Sequence, residues 1–428
     1  MSDLSPHRRP DAAARLPMTL PQDGLDAARE AARERFLAMG LPGHRDEYWR
    51  FTDPAPFNRI EPPALERVVG DSTLFDGFDK LTLVFVDGRF DAEASDPLAL
   101  EGVEITPLSA GAANAAWVGD LYGRLEAASQ TPVPRPFATL NTAAATDGLA
   151  IRVTGHPEKL IHILHRRSEK PVDAVWHHVV RVEPGAEATI LESGIAGARQ
   201  NTVFEADVAK SGRLHFITSK RAGVPEESLA HLFARVAEGA TLKSFELVIG
   251  GQVMRRESMI EMAGDDAVVH VAGACLGGED FHHDDTVFIT HDGLRGESRQ
   301  VFKKVLTRGA TGVFQGKILV KPDAQKTDGY QISQALLLDD NSQFLAKPEL
   351  EIYADDVVCS HGSTTGAIDE TALFYLCSRG IPHDAAVVLL VLSFLADALE
   401  EIENEALRTR ITERLAEVLE GGIGPLVA

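Results

Sequence analysis

The sequence predicts a mainly β protein with helical ends, and three observations carry that reading. Short apolar, β-branched runs recur between positions 151 and 353, and corresponding runs return roughly every 25 to 30 residues. Turn phrases of one kind, EPGAEAT, AKSGRLH, AEGATLK and AGDDAVV, fall at matching places between them. After Gly366 the hydrophobic pattern changes from period two to a helical period. No long helical segment interrupts the β region, which disfavours alternating strands and helices and leaves a sandwich, a barrel or a β-helix. A coil that stacks one turn per repeat on its neighbour accounts best for the recurring length.

In chain order, residues 1–18 lack the apolar segment of a signal peptide and read as a disordered lead-in. Residues 24–39 (GLDAAREAARERFLAM) predict an amphipathic helix closed by Gly40 and Pro42. The aromatic cluster Tyr48, Trp49 and Phe51 reads as a small satellite core, and the Pro-rich stretch 53–63 denies regular structure. Residues 81–86 are apolar and β-branched ahead of Asp87-Gly88, a hairpin signal. Residues 112–129 predict another helix, and Pro132, Pro134 and Pro136 break the chain after it. Strand-like runs follow, among them 178–182, 202–208, 242–248, 267–272, 286–290 and 313–320. Beyond 366, Asp369-Glu370-Thr371 opens a helix that Gly380 and Pro382 end. Residues 383–404 form a helix apolar on nearly all faces, which must be covered on more than one side, either by the β coil and the last helix or by a partner. Residues 405–419 form a charged amphipathic helix. The expected units are an N-terminal helical and α+β region (1–135), a β core (136–368) and a C-terminal helical domain (369–428).

Composition narrows the class. The 428 residues suffice for two or three domains with a large core. Lys and Arg number 42 against 64 Asp and Glu, a formal charge of -22, which argues against nucleic acid as a partner. Three cysteines, Cys275, Cys359 and Cys377, are too sparse for a disulfide framework and fit a reducing, cytoplasmic setting. The longest apolar run, 385–395, falls well short of the roughly 20 residues that span a bilayer, so no membrane is expected.

Chemistry concentrates between Leu350 and Pro382. A β-type run leads into the acidic turn Asp355-Asp356, after which Cys359 and His361 stand two residues apart. On a strand such residues point to the same side, so a thiol and an imidazole face one direction. Both donors suit iron, zinc and copper. Two are too few for a closed site, which takes about four, so any metal needs ligands from elsewhere. Packing with a satisfied hydrogen bond is the ordinary alternative for such a pair.

The runs DDVVCSHGSTTGAIDETALFYLCSRGI and, before it, PDAQKTDGYQISQALLLDDNSQFLAKPELEIYA resemble the signature of the SufB/SufD family of iron–sulfur cluster assembly scaffolds. The likeness extends upstream through 281–320 and downstream into 385–398. Chain length and the segment Glu47-Tyr48-Trp49-Arg50-Phe51-Thr52 place it nearer the SufD branch. The resemblance implies a right-handed parallel β-helix flanked by the N-terminal α+β region and the C-terminal helical region. It also implies a non-enzymatic scaffold that pairs with a SufB-like paralogue and a SufC-like ABC ATPase. By position, His361 and Cys359 fall on the SufD side of the interface where a nascent iron–sulfur cluster forms, His361 being the stronger ligand. An open edge around 350–358 makes Asp356 and Val358 expected contacts of the paralogue, and Val391, Phe394 and Leu395 expected contacts of the ATPase. A homodimer of the isolated chain and a reduced flavin in the assembled complex stay open.

Other motifs carry less. His177 and His178, ahead of Glu183-Pro184-Gly185, resemble a cupin-type metal motif, but neighbours on a strand face opposite sides. The cluster Glu279, Asp280, His282, His283, Asp284 and Asp285, with His291, has metal-ligand types and reads as a solvated polar corner of a coil turn. Gly312, Gly316 and Lys317 lack the spacing of a phosphate loop. Cys275 and Cys377 read as core cysteines. The alternative function is a β-helix polysaccharide lyase or hydrolase, with Asp265, Asp266, Asp284, Asp285 and Lys303 as its site; few aromatic residues in the coil count against it.

Overall fold

The β-rich runs become strands because alternate residues in them are apolar, so each strand buries one face against the strand opposite. The computed structural model describes residues 11–64, 74–111, 115–222 and 226–422. The expected lead-in lies partly outside these residues; its described end forms a short 3-10 turn, Ala12–Arg15. Helices α1 (Asp26–Met39) and α2 (Ala55–Asn58) precede the hairpin of β1 (Lys80–Val86) and β2 (Arg89–Phe90) and then β3 (Val103–Pro107). Within the expected helix 112–129, residues 112–114 fall outside the described set. The rest is split by Gly123 into α3 (Ala116–Leu121) and α4 (Arg124–Ala128), because Gly123 adopts φ +69. The buried helix α5 (Pro136–Ala144) follows, unexpected from the sequence because apolar residues surround it and leave no stripe to read.

The β region starts with β4 (Leu149–Val153), β5 (Leu160–Arg166), β6 (Asp173–Val182) and β7 (Glu187–Gly194). It continues with β8 (Arg199–Val208), β9 (Arg213–Ala222), β10 (Glu227–Val236), β11 (Thr241–Gly250) and β12 (Val253–Met262). Next come β13 (Val268–Gly277), β14 (His282–His291), β15 (Glu297–Leu306) and β16 (Thr311–Val320). The last strands are β17 (Asp328–Leu337), β18 (Gln343–Ile352) and β19 (Val358–Gly366). From β5 on, odd strands pair in parallel with odd strands and even with even, giving two facing sheets. This is a β-solenoid with two strands per coil, the stacked arrangement the repeat length predicts.

The recurring turn phrases have a structural counterpart. One residue per coil takes a left-handed conformation: Gly185, Ser211, Gly239, Asp266, Arg295 and Lys326. The N–H of each donates to a turn carbonyl of the next coil, from Gly185 to Lys210 at 3.0 Å through Arg295 to Gln325 at 2.9 Å and Lys326 to Asp356 at 2.6 Å. The turns therefore stack as a hydrogen-bonded column beside the two sheets.

Inward residues such as Ile163, Val180, Leu242, Val269 and Ile289 form the apolar core between the sheets. The outer faces are covered separately. α1, α5 and the Trp49 segment lie on the even-strand sheet, with Trp49, Phe57 and Phe137 in mutual edge-to-face contact. Trp49 belongs to a small apolar cluster apart from the core between the sheets, as the satellite reading expects, and Tyr48 packs on Phe288 of β14 in a neighbouring one, so both lie within this cover. On the odd-strand sheet lie α6 (Glu370–Ser378), α7 (His383–Leu399) and α8 (Glu405–Gly422). The apolar helix α7 is thus buried by β13, β15 and α8, the intramolecular one of the two covers its composition requires. Among the described residues no helix is long and apolar enough to cross a membrane.

Candidate metal-ligand site at the open end of the solenoid

β18 and β19 are the terminal strands of their sheets, and both are far more exposed than the strands beneath them. The last coil therefore has no successor to cover its inner face. Cys359 and His361 both lie on that face of β19, as period two requires. The register places Cys359 beside Gly329 of β17 and His361 beside Gln331. The Cys359 thiol sits over Gly329, where an added methyl would be 3.3 Å from Sγ, and packs against Ile318 and Val320. Burial pushes its pKa up, so the free chain holds a thiol. His361 is exposed. The pair faces one direction, half in the coil interior and half open.

Asp356 and Val358, the expected contacts, are exposed, Val358 at 71%. Their N–H groups are already bonded within the chain, Asp356 to Gln325 Oε1 at 2.9 Å and Val358 to the Thr327 carbonyl at 2.8 Å. Backbone groups alternate sides along a strand, so the N–H groups free to pair with another chain belong to Cys359, His361, Ser363 and Thr365. Of the three expected contacts on α7, Val391 and Leu395 are fully buried against the solenoid and α8, which corrects their assignment to a surface. Phe394 is half-buried, with Lys303 Nζ 4.9 Å from its ring centre. On α6 and α7 the large exposed apolar side chains are Phe374, Tyr375 and Leu389, and at the open edge they are Ile352, Tyr353 and Val358.

The expected solvated corner holds for Glu279 and Asp280, exposed in the turn before β14, but not for the residues that follow: His283, Asp284, Asp285 and His291 are all buried. The run HHDDT is strand β14, not a turn, and its polar residues are satisfied inside. Asp284 faces the N-terminal cover, where it accepts from Arg255 at 2.5 Å and Thr52 at 2.6 Å. Asp285 and His283 face inward, each bonded by Lys304 Nζ, at 2.6 and 2.8 Å. Glu246 completes this cluster, with His283 Nε2 3.7 Å and Arg256 3.5 Å away. A lysine ammonium holds the place a metal ion would need, so the cluster is a closed ion-pair network.

His177 and His178 face opposite sides, as strand geometry demands: His177 meets Glu205 at 3.0 Å outside the coil. His178 lies inside with His165 and Glu192, a second three-donor group. Its Nδ1 accepts the Leu149 N–H at 3.0 Å, and burial holds its pKa down to about 3. The ring is neutral with its proton on Nε2, which leaves that nitrogen no lone pair for a metal. The lyase-type set does not converge either. Asp265 and Asp266 pair with Arg295 at a turn, Asp284 and Asp285 are buried on opposite faces of one strand, and Lys303 pairs with Asp397.

A two-sheet solenoid with covered faces and one open, thiol- and imidazole-bearing end defines the class by fold: a β-solenoid protein whose last coil is left uncapped. Residues 165–394, more than half the chain, match the family described as SUF system FeS cluster assembly, SufBD core domain, and the chain belongs to that family. It is 29% identical over 407 residues to the iron-sulfur cluster assembly protein SufD of Escherichia coli, covering 91% of this chain and 92% of that protein. A SufBD family protein of Synechocystis is 27% identical, with 90% and 89% covered. The chloroplastic protein ABCI7 of Arabidopsis thaliana is 25% identical, with 90% and 84% covered.

Proposed function

We propose that this chain is a non-enzymatic scaffold subunit on which an iron–sulfur cluster is built, at an interface between its open coil and a SufB-like paralogue in the cytoplasm. The observation that carries the reading is the placement of Cys359 and His361 together on the inward face of β19, the terminal strand of its sheet. A cluster is cargo here, so its ligands must hold iron firmly enough to build on and loosely enough to release. Neutral imidazole adds no charge to the cluster and exchanges by protonation, which suits His361. The Cys359 thiol must lose its proton to bind iron, and burial disfavours the thiolate. The paralogue is therefore expected to supply the principal thiolate, and Cys359 a secondary one.

The free edges of β18 and β19 offer backbone groups for strand pairing with that paralogue. A SufC-like ATPase is expected on α6 and α7, where Phe374, Tyr375 and Leu389 are exposed. The test is anaerobic reconstitution of the chain, co-expressed with both partners, using iron and sulfide and read by absorption and Mössbauer spectra. His361→Ala should leave the complex assembled and lower cluster yield about tenfold or more, in line with loss of a metal ligand. Full yield from the His361→Ala complex would sink the reading.

A further inference from the structure

One buried polar feature lies directly beneath the open end. Gln300, Gln331 and His361 are successive register partners on β15, β17 and β19, so their side chains stack in one column. Gln300 and Gln331 are fully buried. Gln331 Nε2 donates to Gln300 Oε1 at 2.8 Å. Its other amide atom, Oε1, is buried and has no hydrogen-bond partner among the described residues. A buried acceptor without a donor costs about 1–3 kcal/mol, so a donor that reaches Gln331 Oε1 is favoured by that order; Gln300 Nε2 below it is likewise unpartnered among the described residues.

The neighbourhood is shaped for this amide. Gly316 on the facing sheet leaves the space it occupies, since a methyl there would lie 1.6 Å from Gln331 Nε2. Gln300 fixes the Nε2 end of Gln331, which leaves Oε1 as the free acceptor. Paired side chains on adjacent strands stand about 5 Å apart at Cβ, within reach of an imidazole ring. The ring of His361 is the next member of the column.

We infer that Gln331 is a positioning residue for His361: its Oε1, unpartnered among the described residues, is the acceptor that one ring N–H of His361 meets when the ring turns inward, which fixes the tautomer and turns the other nitrogen outward as a donor to metal. Metal-binding histidines commonly have the second nitrogen held in this way, and loss of such a partner costs about 10–100-fold in affinity or activity. The purpose of this hydrogen bond rests on the reading of His361 as a cluster ligand; its formation is argued separately, from the register column and the unpartnered acceptor.

The test uses the full chain labelled with 15N-histidine and long-range 1H–15N spectra at neutral pH, with the His361 signals identified by their loss in His361→Ala. Wild type should show one tautomer in the neutral fraction of the His361 signal. Gln331→Leu should give signals averaged over both tautomers, and Gln331→Glu, which keeps an acceptor in place, should retain one fixed proton site. Equal tautomer populations in wild type and Gln331→Leu would overturn the inference, as would loss of the fixed site in Gln331→Glu. Should Gln331→Leu not fold, the Gln331→Glu spectrum decides alone. In the reconstituted complex, Gln331→Leu should lower cluster yield about tenfold and Gln331→Glu should recover most of it. Unchanged yield in His361→Ala, with the tautomer effect intact, would defeat the ligand reading alone.

Discussion

At its N-terminal end the solenoid finishes in blunted edges. The odd-strand sheet ends in β2, two residues long, and the even-strand sheet ends in β3, antiparallel to β4 and closed by Pro107. Phe85, Phe90, Leu98 and Leu100 plug the core there. At the C-terminal end the sheets finish in β18 and β19, ten and nine residues long. Their inner face bears Cys359, His361 and Ser363, with a polar column beneath in place of an apolar plug. Short, hairpin-blocked edges resist pairing with other chains, and long regular ones invite it. The difference teaches that one end is capped within the chain, whereas the other leaves long, regular strand edges of the kind the proposed paralogue contact would use.

The largest effect should come from breaking the closed interior. Asp285→Ala removes the carboxylate from the buried Lys304 ammonium and should cost about 3–5 kcal/mol in urea denaturation, the range for an orphaned buried charge. A loss below about 1 kcal/mol would mean water reaches this cluster and the interior is not closed. At the open end, His361→Ala should leave the melting temperature unchanged while cluster yield falls about tenfold or more. Cys359→Ser should reduce yield less than His361→Ala; the reverse order would make Cys359 the principal ligand.

Acid should separate closed coils from open ones. Burial lowers the pKa of His178 to about 3 and of His231 and His291 to about 4, from 6.5. Their folded values lie below the unfolded one, so the unfolded chain binds protons first. Their contribution is whole above pH about 6.5 and is lost as pH falls toward 4, at about 1.4 kcal/mol per unit for each group. Calorimetry between pH 7 and 5 should show the melting temperature fall, and a flat profile would contradict burial of these rings as neutral groups. Smaller still is Thr365→Pro on the free edge of β19. It removes one backbone donor that faces away from β17 and should weaken paralogue binding by about 0.5–1.5 kcal/mol in calorimetry without destabilising the chain. The smallest effect on stability is expected from Phe374→Ser, within about 0.5 kcal/mol, because the ring is 74% exposed. ATPase binding, measured in the same variant, should fall if α6 forms the docking face.

Several features were legible because they depend on periodicity or local backbone chemistry. The coil repeat, the turn phrases, the Asp87-Gly88 hairpin and the three C-terminal helices follow from residue spacing and from turn and capping residues. The shared face of Cys359 and His361 follows from strand geometry alone. What sequence could not decide was which polar residues are inside. HHDDT reads as a surface corner because isolated acidic and histidine residues prefer water; only Lys304 and Arg255, distant in sequence, make burial of Asp285 and Asp284 tolerable. The same holds for Val391 and Leu395, whose apolar character fits a partner or a core equally until α8 and the sheet are seen to cover them. Gln331 is the clearest case. Its sequence neighbours mark it as an ordinary strand residue. Its orphaned carbonyl, its tie to Gln300 and the space left by Gly316 arise only when β15, β16 and β17, successive strands about 15 residues apart, are brought together by the solenoid. Local interactions are written in spacing, whereas compensation of buried polar groups depends on which distant strands the coil brings into register.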